Sequence, residues 1–155
     1  MTRGELAEKN FTQGCNCAQA VFLAFSDLTG LDEATAMKLA ASFGGGMGKL
    51  REVCGAVSGA FMAAGLLWAD GEVPTLEAKA AHYEKIRAIA NKFKEENGSY
   101  LCRELLDGVP VSPSPNPEER TETYYKKRPC GELCRCAADI LEAMIKEQTS
   151  QEADN

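Results

Sequence analysis

Two adjoining features do most to limit how this chain can fold. They are the glycine run Gly44-Gly45-Gly46-Met47-Gly48 and the stretch from Val53 to Ala69, which has no charged residue. Interior helical glycines cost up to about 1 kcal/mol each relative to alanine. A helix carrying Gly55, Ser58, Gly59, Ala63 and Gly65 needs a compensating gain, and close backbone approach by neighbouring helices supplies one. The sequence therefore predicts a central helix over Arg51–Trp68. The uncharged stretch has 17 residues, at the lower edge of a membrane span of about 20. Its small polar positions fit a buried helix better.

Around this centre the remaining segments read as helices. Glu5 to Phe11 makes a short first helix that stops near Gly14. Asn16 is a good N-cap for a second, with Val21, Phe22 and Phe25 turned to the core. Asp32 caps a third, whose face is Ala36, Leu39, Ala40 and Phe43. Pro74 starts a long amphipathic helix to about Asn97, closed by Gly98, with Leu76, Ala80, Tyr83, Ile86 (or the aliphatic stem of Arg87), Ala90 and Phe93 as its apolar face. Ser99 caps a short helix through Leu106. Val109 to Pro117 holds four prolines and reads as a surface loop. A last helix begins near Pro129 and lines the core with Leu133, Ala137, Ile140, Leu141 and Met144. No segment alternates with the period-two pattern of a strand. The expectation is an all-α fold: one compact bundle of about six or seven helices in a single domain over 1–147, with a frayed polar tail over 148–155.

Charge removes several classes of function. Lys and Arg total 17 against 23 Asp and Glu, a formal net charge of −6, which argues against nucleic acid and its demand for a basic face. The first residues lack the apolar core of a secretory signal, so a cytoplasmic protein that does not span a membrane is expected. The glycine run is no phosphate loop. Lys49 is followed by Leu50, not Ser or Thr, and no strand precedes the run. It reads instead as a flexible connection that lets backbone approach Cys54. His82 is the only histidine, which speaks against a hydrolytic zinc centre.

Sulfur is the strongest chemical signal. There are seven cysteines, and Cys17, Cys54, Cys102 and Cys130 each open a predicted helix. Free N–H groups at a helix start stabilise an anion, and the thiolate is the form that attacks disulfides and binds metals. In a reducing compartment such cysteines point to redox catalysis or metal binding before structural disulfides. Arg51, Arg103 and Arg128 stand one to three residues from these cysteines, where a guanidinium would favour thiolate further.

Three segments then carry a resemblance: Gly14-Cys15-Asn16-Cys17-Ala18-Gln19-Ala20-Val21, Phe43-Gly44-Gly45-Gly46-Met47-Gly48, and Val53-Cys54-Gly55-Ala56-Val57-Ser58-Gly59-Ala60. Together with Cys102-Arg103-Glu104-Leu105-Leu106 and Cys130-Gly131-Glu132-Leu133, the chain resembles the C-GCAxxG-C-C family of redox-active proteins. The resemblance implies that the family's four cysteines fall on Cys17, Cys54, Cys102 and Cys130, with Cys15, Cys134 and Cys136 outside the pattern. It implies general redox activity without a defined reaction. The four cysteines would converge on one site and work as catalytic thiols in thiol–disulfide exchange, or as metal ligands of an iron–sulfur cluster. The expected partners are a redox protein or a small-molecule electron donor or acceptor, with a homodimer allowed. The other reading is a non-catalytic helical metal-binding or interaction module whose buried cysteines are structural.

Overall fold

A computed structural model describes residues 1–154, and among these the fold is all-α. Nine α-helices follow in order: α1 (Arg3–Thr12), α2 (Cys17–Leu23), α3 (Ser26–Thr29), α4 (Glu33–Ala40), α5 (Gly55–Trp68), α6 (Leu76–Asn97), α7 (Cys102–Leu105), α8 (Glu122–Lys127) and α9 (Cys130–Asp154). A 3₁₀ turn, Ala41–Phe43, follows α4. The only strand-like pairing among the described residues is an antiparallel bridge between Val53 and Leu101. The helix count exceeds the expected six or seven for two reasons. The segment after Asn16 breaks at Ala24–Phe25 into α2 and α3, and α8 forms where no helix was read.

Several helix starts are fixed by their own side chains. Asn16 and Gln19 make a reciprocal capping box at α2, where the Asn16 side chain accepts from Gln19 N–H at 2.9 Å and Gln19 accepts from Asn16 N–H at 3.0 Å. Asp32, Thr75 and Thr121 each accept a backbone N–H at the starts of α4, α6 and α8. Ser99 does not cap α7 directly. Its hydroxyl accepts from Leu101 N–H at 3.0 Å and donates to Glu104, bracing the turn that leads into α7.

The small-residue helix α5 packs against α2, α3, α6 and α9, and its residues from Gly55 to Ala60 are all buried. The reason for Gly59 is visible in the contact: a Cβ there would stand 2.6 Å from the Ala18 carbonyl oxygen and 3.0 Å from Val21 Cβ. The backbones of α2 and α5 touch, which only glycine permits. The helix starts at Gly55, however, not at Arg51. Arg51 has φ +61°, outside right-handed helix space, and Val53 is held extended by its bridge to Leu101.

Three elements differ from the sequence reading, and the first is α4, where Leu39 is exposed and only Ala36 and Ala40 of the expected face are buried within the helix. On α6, Leu76 and Tyr83 are exposed, and Ile89 and Phe93 provide the buried anchors, so only the C-terminal half of this helix is seated in the core. The helix is long enough to reach beyond the packed body, and its early apolar residues have nothing to pack on. At the other end, α9 continues to Asp154 and carries the polar segment from Gln148 as helix rather than as a frayed tail. It is anchored on α1, where Arg135 pairs with Glu8 at 3.0 Å and Glu5 at 3.3 Å, and Asp139 accepts from Gly4 N–H at 3.1 Å. No helix among the described residues is long and apolar enough to cross a membrane.

Candidate functional site: a thiol cleft between helix starts

Cys17, Cys54, Cys102 and Cys130 all line one small cleft of about 70 Å³. Each sits at the start of its helix: Cys17 is the first residue of α2, Cys102 of α7 and Cys130 of α9, and Cys54 is the N-cap of α5. The bridge between Val53 and Leu101 brings two of them together. Cys54 N–H donates to Tyr100 O at 2.8 Å and Cys102 N–H to Glu52 O at 2.6 Å, so the two cysteines leave opposite sides of one short pairing. Cys17 and Cys130 line the cleft from α2 and α9, which pack against each other, and Cys134 is fully buried one turn further along α9. The Cys134 thiol donates to the Cys17 carbonyl at 3.8 Å. All seven cysteines are free thiols.

The glycine run serves this cleft differently from the sequence reading. Gly45 to Lys49 are five successive residues with φ between +57° and +72°, a left-handed run that L-residues avoid at about 1–2 kcal/mol each. It is pinned rather than flexible: Gly48 N–H donates to Ser42 O at 2.8 Å and Glu52 N–H to Gly46 O at 2.9 Å. Its close approach is to Cys102, not Cys54, since a Cβ on Gly46 would stand 2.7 Å from Cys102 Cβ. Arg51 follows the run and likewise serves Cys102, donating from its guanidinium to Sγ at 3.6 Å.

Burial outweighs the helix starts in the acidity of the thiols. The sequence argument expected a depressed Cys54 pKa. Burial instead pushes it up to about 12, although the N–H groups of Ala56 and Val57 oppose the rise. Cys102 is raised by burial against the pull of Arg51, and Cys134 is raised by burial too. Cys130 is raised far above its ordinary value by its hydrogen bond to Cys17 and by burial. At Cys17 the hydrogen bond from Cys130 favours thiolate, but Cys134 and burial outweigh it and leave the group raised. The cleft therefore holds protonated thiols at neutral pH. A raised thiol keeps its proton in the folded chain after the unfolded chain has released it. Stability from Cys54 is thus intact below about pH 9 and lost as pH rises toward about 12. Thermal denaturation should show Tm falling more steeply above about pH 9 in the wild type than in Cys54→Ala.

The other cysteines and arginines divide clearly. The Cys136 thiol faces away from the cleft, donating to Glu96 Oε2 at 2.9 Å and accepting from Asn97 Nδ2 at 3.4 Å. Cys15 is half-buried, and its carbonyl accepts from Arg120 at 3.1 Å. Arg103 pairs with Glu52 at 3.0 Å at the surface. Arg51 and Arg128 do line the cleft, and so does Arg120, which sequence reasoning missed. Arg120 lies nine residues after Val111 in the proline-rich stretch, with no cysteine near it in sequence. Its guanidinium reaches the cleft by stacking over Phe11 at 4.3 Å and Tyr124 at 5.0 Å.

A family profile described as "Putative redox-active protein (C_GCAxxG_C_C)" matches residues 15–144. The chain belongs to the C_GCAxxG_C_C family. It is also similar to an uncharacterized protein of Archaeoglobus fulgidus, 29% identical over 140 residues and covering 86% of each chain. No solved structure gives a significant match.

Four cysteines at one cleft are the donor set that a zinc or iron–sulfur site would use. Among the described residues, no three or more His, Cys, Asp or Glu side chains are grouped so as to hold a metal ion.

Proposed function

We propose that this C_GCAxxG_C_C protein is a thiol–disulfide oxidoreductase in which Cys17 and Cys130 form the working dithiol. The observation that supports this most is that both cysteines line one cleft, each as the first residue of a helix, and that the two helices pack on each other. Cys17 is the attacking sulfur, because the influence of Cys130 on it favours thiolate and it is the first residue of α2, where free N–H groups favour an anion. It attacks one sulfur of a substrate disulfide RSSR′. The new bond is a mixed disulfide with RS, and R′S⁻ leaves and takes up the proton that Cys17 released. Cys130 then attacks the Cys17 sulfur, and RS⁻ leaves with the Cys130 proton. Two protein thiols become one disulfide, and RSSR′ becomes RSH and R′SH. A second dithiol reverses the protein half of the exchange.

The raised thiol values set the pH dependence. Thiolate is scarce at neutrality, so the exchange rate should climb steadily from about pH 7 to 10 without a plateau near neutral. A stopped-flow pH profile checks this.

The test of the function is oxidation of the fully reduced protein with one equivalent of hydroxyethyl disulfide, followed by alkylation and peptide mapping. A Cys17–Cys130 link and release of two small thiols are expected, and Cys130→Ser should abolish the link. A protein that stays fully reduced would overturn the reading. So would a brown, iron-loaded protein recovered from anaerobic expression.

A further inference from the structure

The thiol cleft is basic in a chain whose formal net charge is −6. Arg51, Arg120 and Arg128 line its inner part. The inner part opens into a wider outer cleft of about 340 Å³, whose walls share these three arginines and add Lys49. One carboxylate, Glu118, faces the outer cleft, and it is already taken by the buried Arg128 at 2.5 Å.

Arg51 and Arg120 have no carboxylate partner among the described residues. Both are half-buried. Arg120 donates to the carbonyls of Phe11 and Cys15, each at 3.1 Å, and Arg51 to the Cys102 sulfur. The Lys49 ammonium is held by the carbonyls of Ser114 and Asn116 at 2.7 and 2.6 Å. Carbonyls and a thiol satisfy hydrogen bonds but leave the positive charge uncompensated. A concave site with low-dielectric walls focuses such charge and raises the local concentration of anions. Guanidinium also presents a planar fork that matches a carboxylate.

We propose that the cleft selects small disulfides carrying carboxylate groups as the oxidant of the Cys17–Cys130 dithiol, with Arg51 and Arg120 as the residues that hold the anion. This rests on the dithiol reading above. The carboxylate sits in the outer cleft against the two guanidinium groups, which brings the S–S bond to the inner wall. The exchange is then the balanced one already written, with R and R′ anionic.

Three disulfides of similar size and different charge test it: dithiodiglycolate (a dianion), hydroxyethyl disulfide (neutral) and cystamine (a dication). Their rates are compared in the wild type, Arg51→Gln and Arg120→Gln, each checked for folding by circular dichroism. The expected result is that each substitution lowers the ratio of dianion to neutral rates by about tenfold or more and raises the ratio of dication to neutral. Added salt should slow the dianion alone. Loss of rate by the same factor for all three disulfides would overturn the proposal, because the arginines would then act only on the thiols. Unchanged ratios would overturn it too. If the wild type reduces none of the three, the dithiol reading itself has failed. The Tm shift of Cys17→Ser/Cys130→Ser with thiodiglycolate, which has no S–S bond, then reports separately on the anion site. A shift lost in Arg120→Gln supports that site, and no shift overturns it.

Discussion

Gly59→Ala is expected to destabilise the fold by about 1–3 kcal/mol or more, while Gly65→Ala in the same helix stabilises it by up to about 1 kcal/mol. The two positions are six residues apart on α5 and differ in what a new methyl group would meet. At Gly59 it would meet the Ala18 carbonyl oxygen at 2.6 Å, a backbone atom that cannot move without shifting α2. At Gly65 nothing lies within 4 Å, so the substitution only gains helix propensity. Chemical denaturation of the two variants reads the difference directly. Equal effects would show that α2 and α5 are not in backbone contact.

Gly46→Ala should have an effect of similar size but concentrated on the cleft. It combines a left-handed φ of +72° with a Cβ 2.7 Å from Cys102 Cβ and 2.8 Å from Glu52 N. Left-handed strain and overpacking together amount to about 2–5 kcal/mol. Gly48→Ala is the matched control. It has φ +57°, but its nearest neighbour is Ser42 O at 3.9 Å, so it carries the conformational cost alone. Differential alkylation should find Cys102 modified much faster in Gly46→Ala than in Gly48→Ala, because displacing the run pulls the Arg51 cover away from that sulfur. Equal alkylation rates would mean that the run does not hold Cys102 in place.

Much of this fold was legible because local signals and burial agree. The capping residue Asn16, the helix-closing Gly98 and the apolar spacing of Leu133, Ala137 and Ile140 each act within a turn or two of themselves. Residues that depend on distant partners were not legible. The break before Gly55 arises from a pairing with Leu101, far along the chain, and no local pattern announces a two-residue bridge. The apolar spacing of Leu76 and Tyr83 is genuine, but which turns of a long helix reach the core is decided by the elements beside it.

The site divides in the same way. Helix starts could be found from sequence, and the four cysteines at them line one cleft. The acidity of the thiols could not, because it is set by enclosure: the N–H groups over Cys54 are present as expected, and burial still wins. Arg120 escaped for want of any neighbouring cysteine in sequence, its position being set by a stack of aromatic rings drawn from α1 and α8.

The meeting of α2 and α9 at Cys17 and Cys130 joins points near the two ends of the chain. A covalent link there would close a segment of roughly 110 residues, which removes about 4.7 kcal/mol of chain entropy from the unfolded state. The same quantity read electrochemically is roughly 100 mV for a two-electron couple. Folding and oxidation would then reinforce one another: the native chain holds the disulfide at a potential about that much lower than the unfolded chain does, and oxidised protein melts later than reduced. Reductant strength would set how firmly the helices are held together.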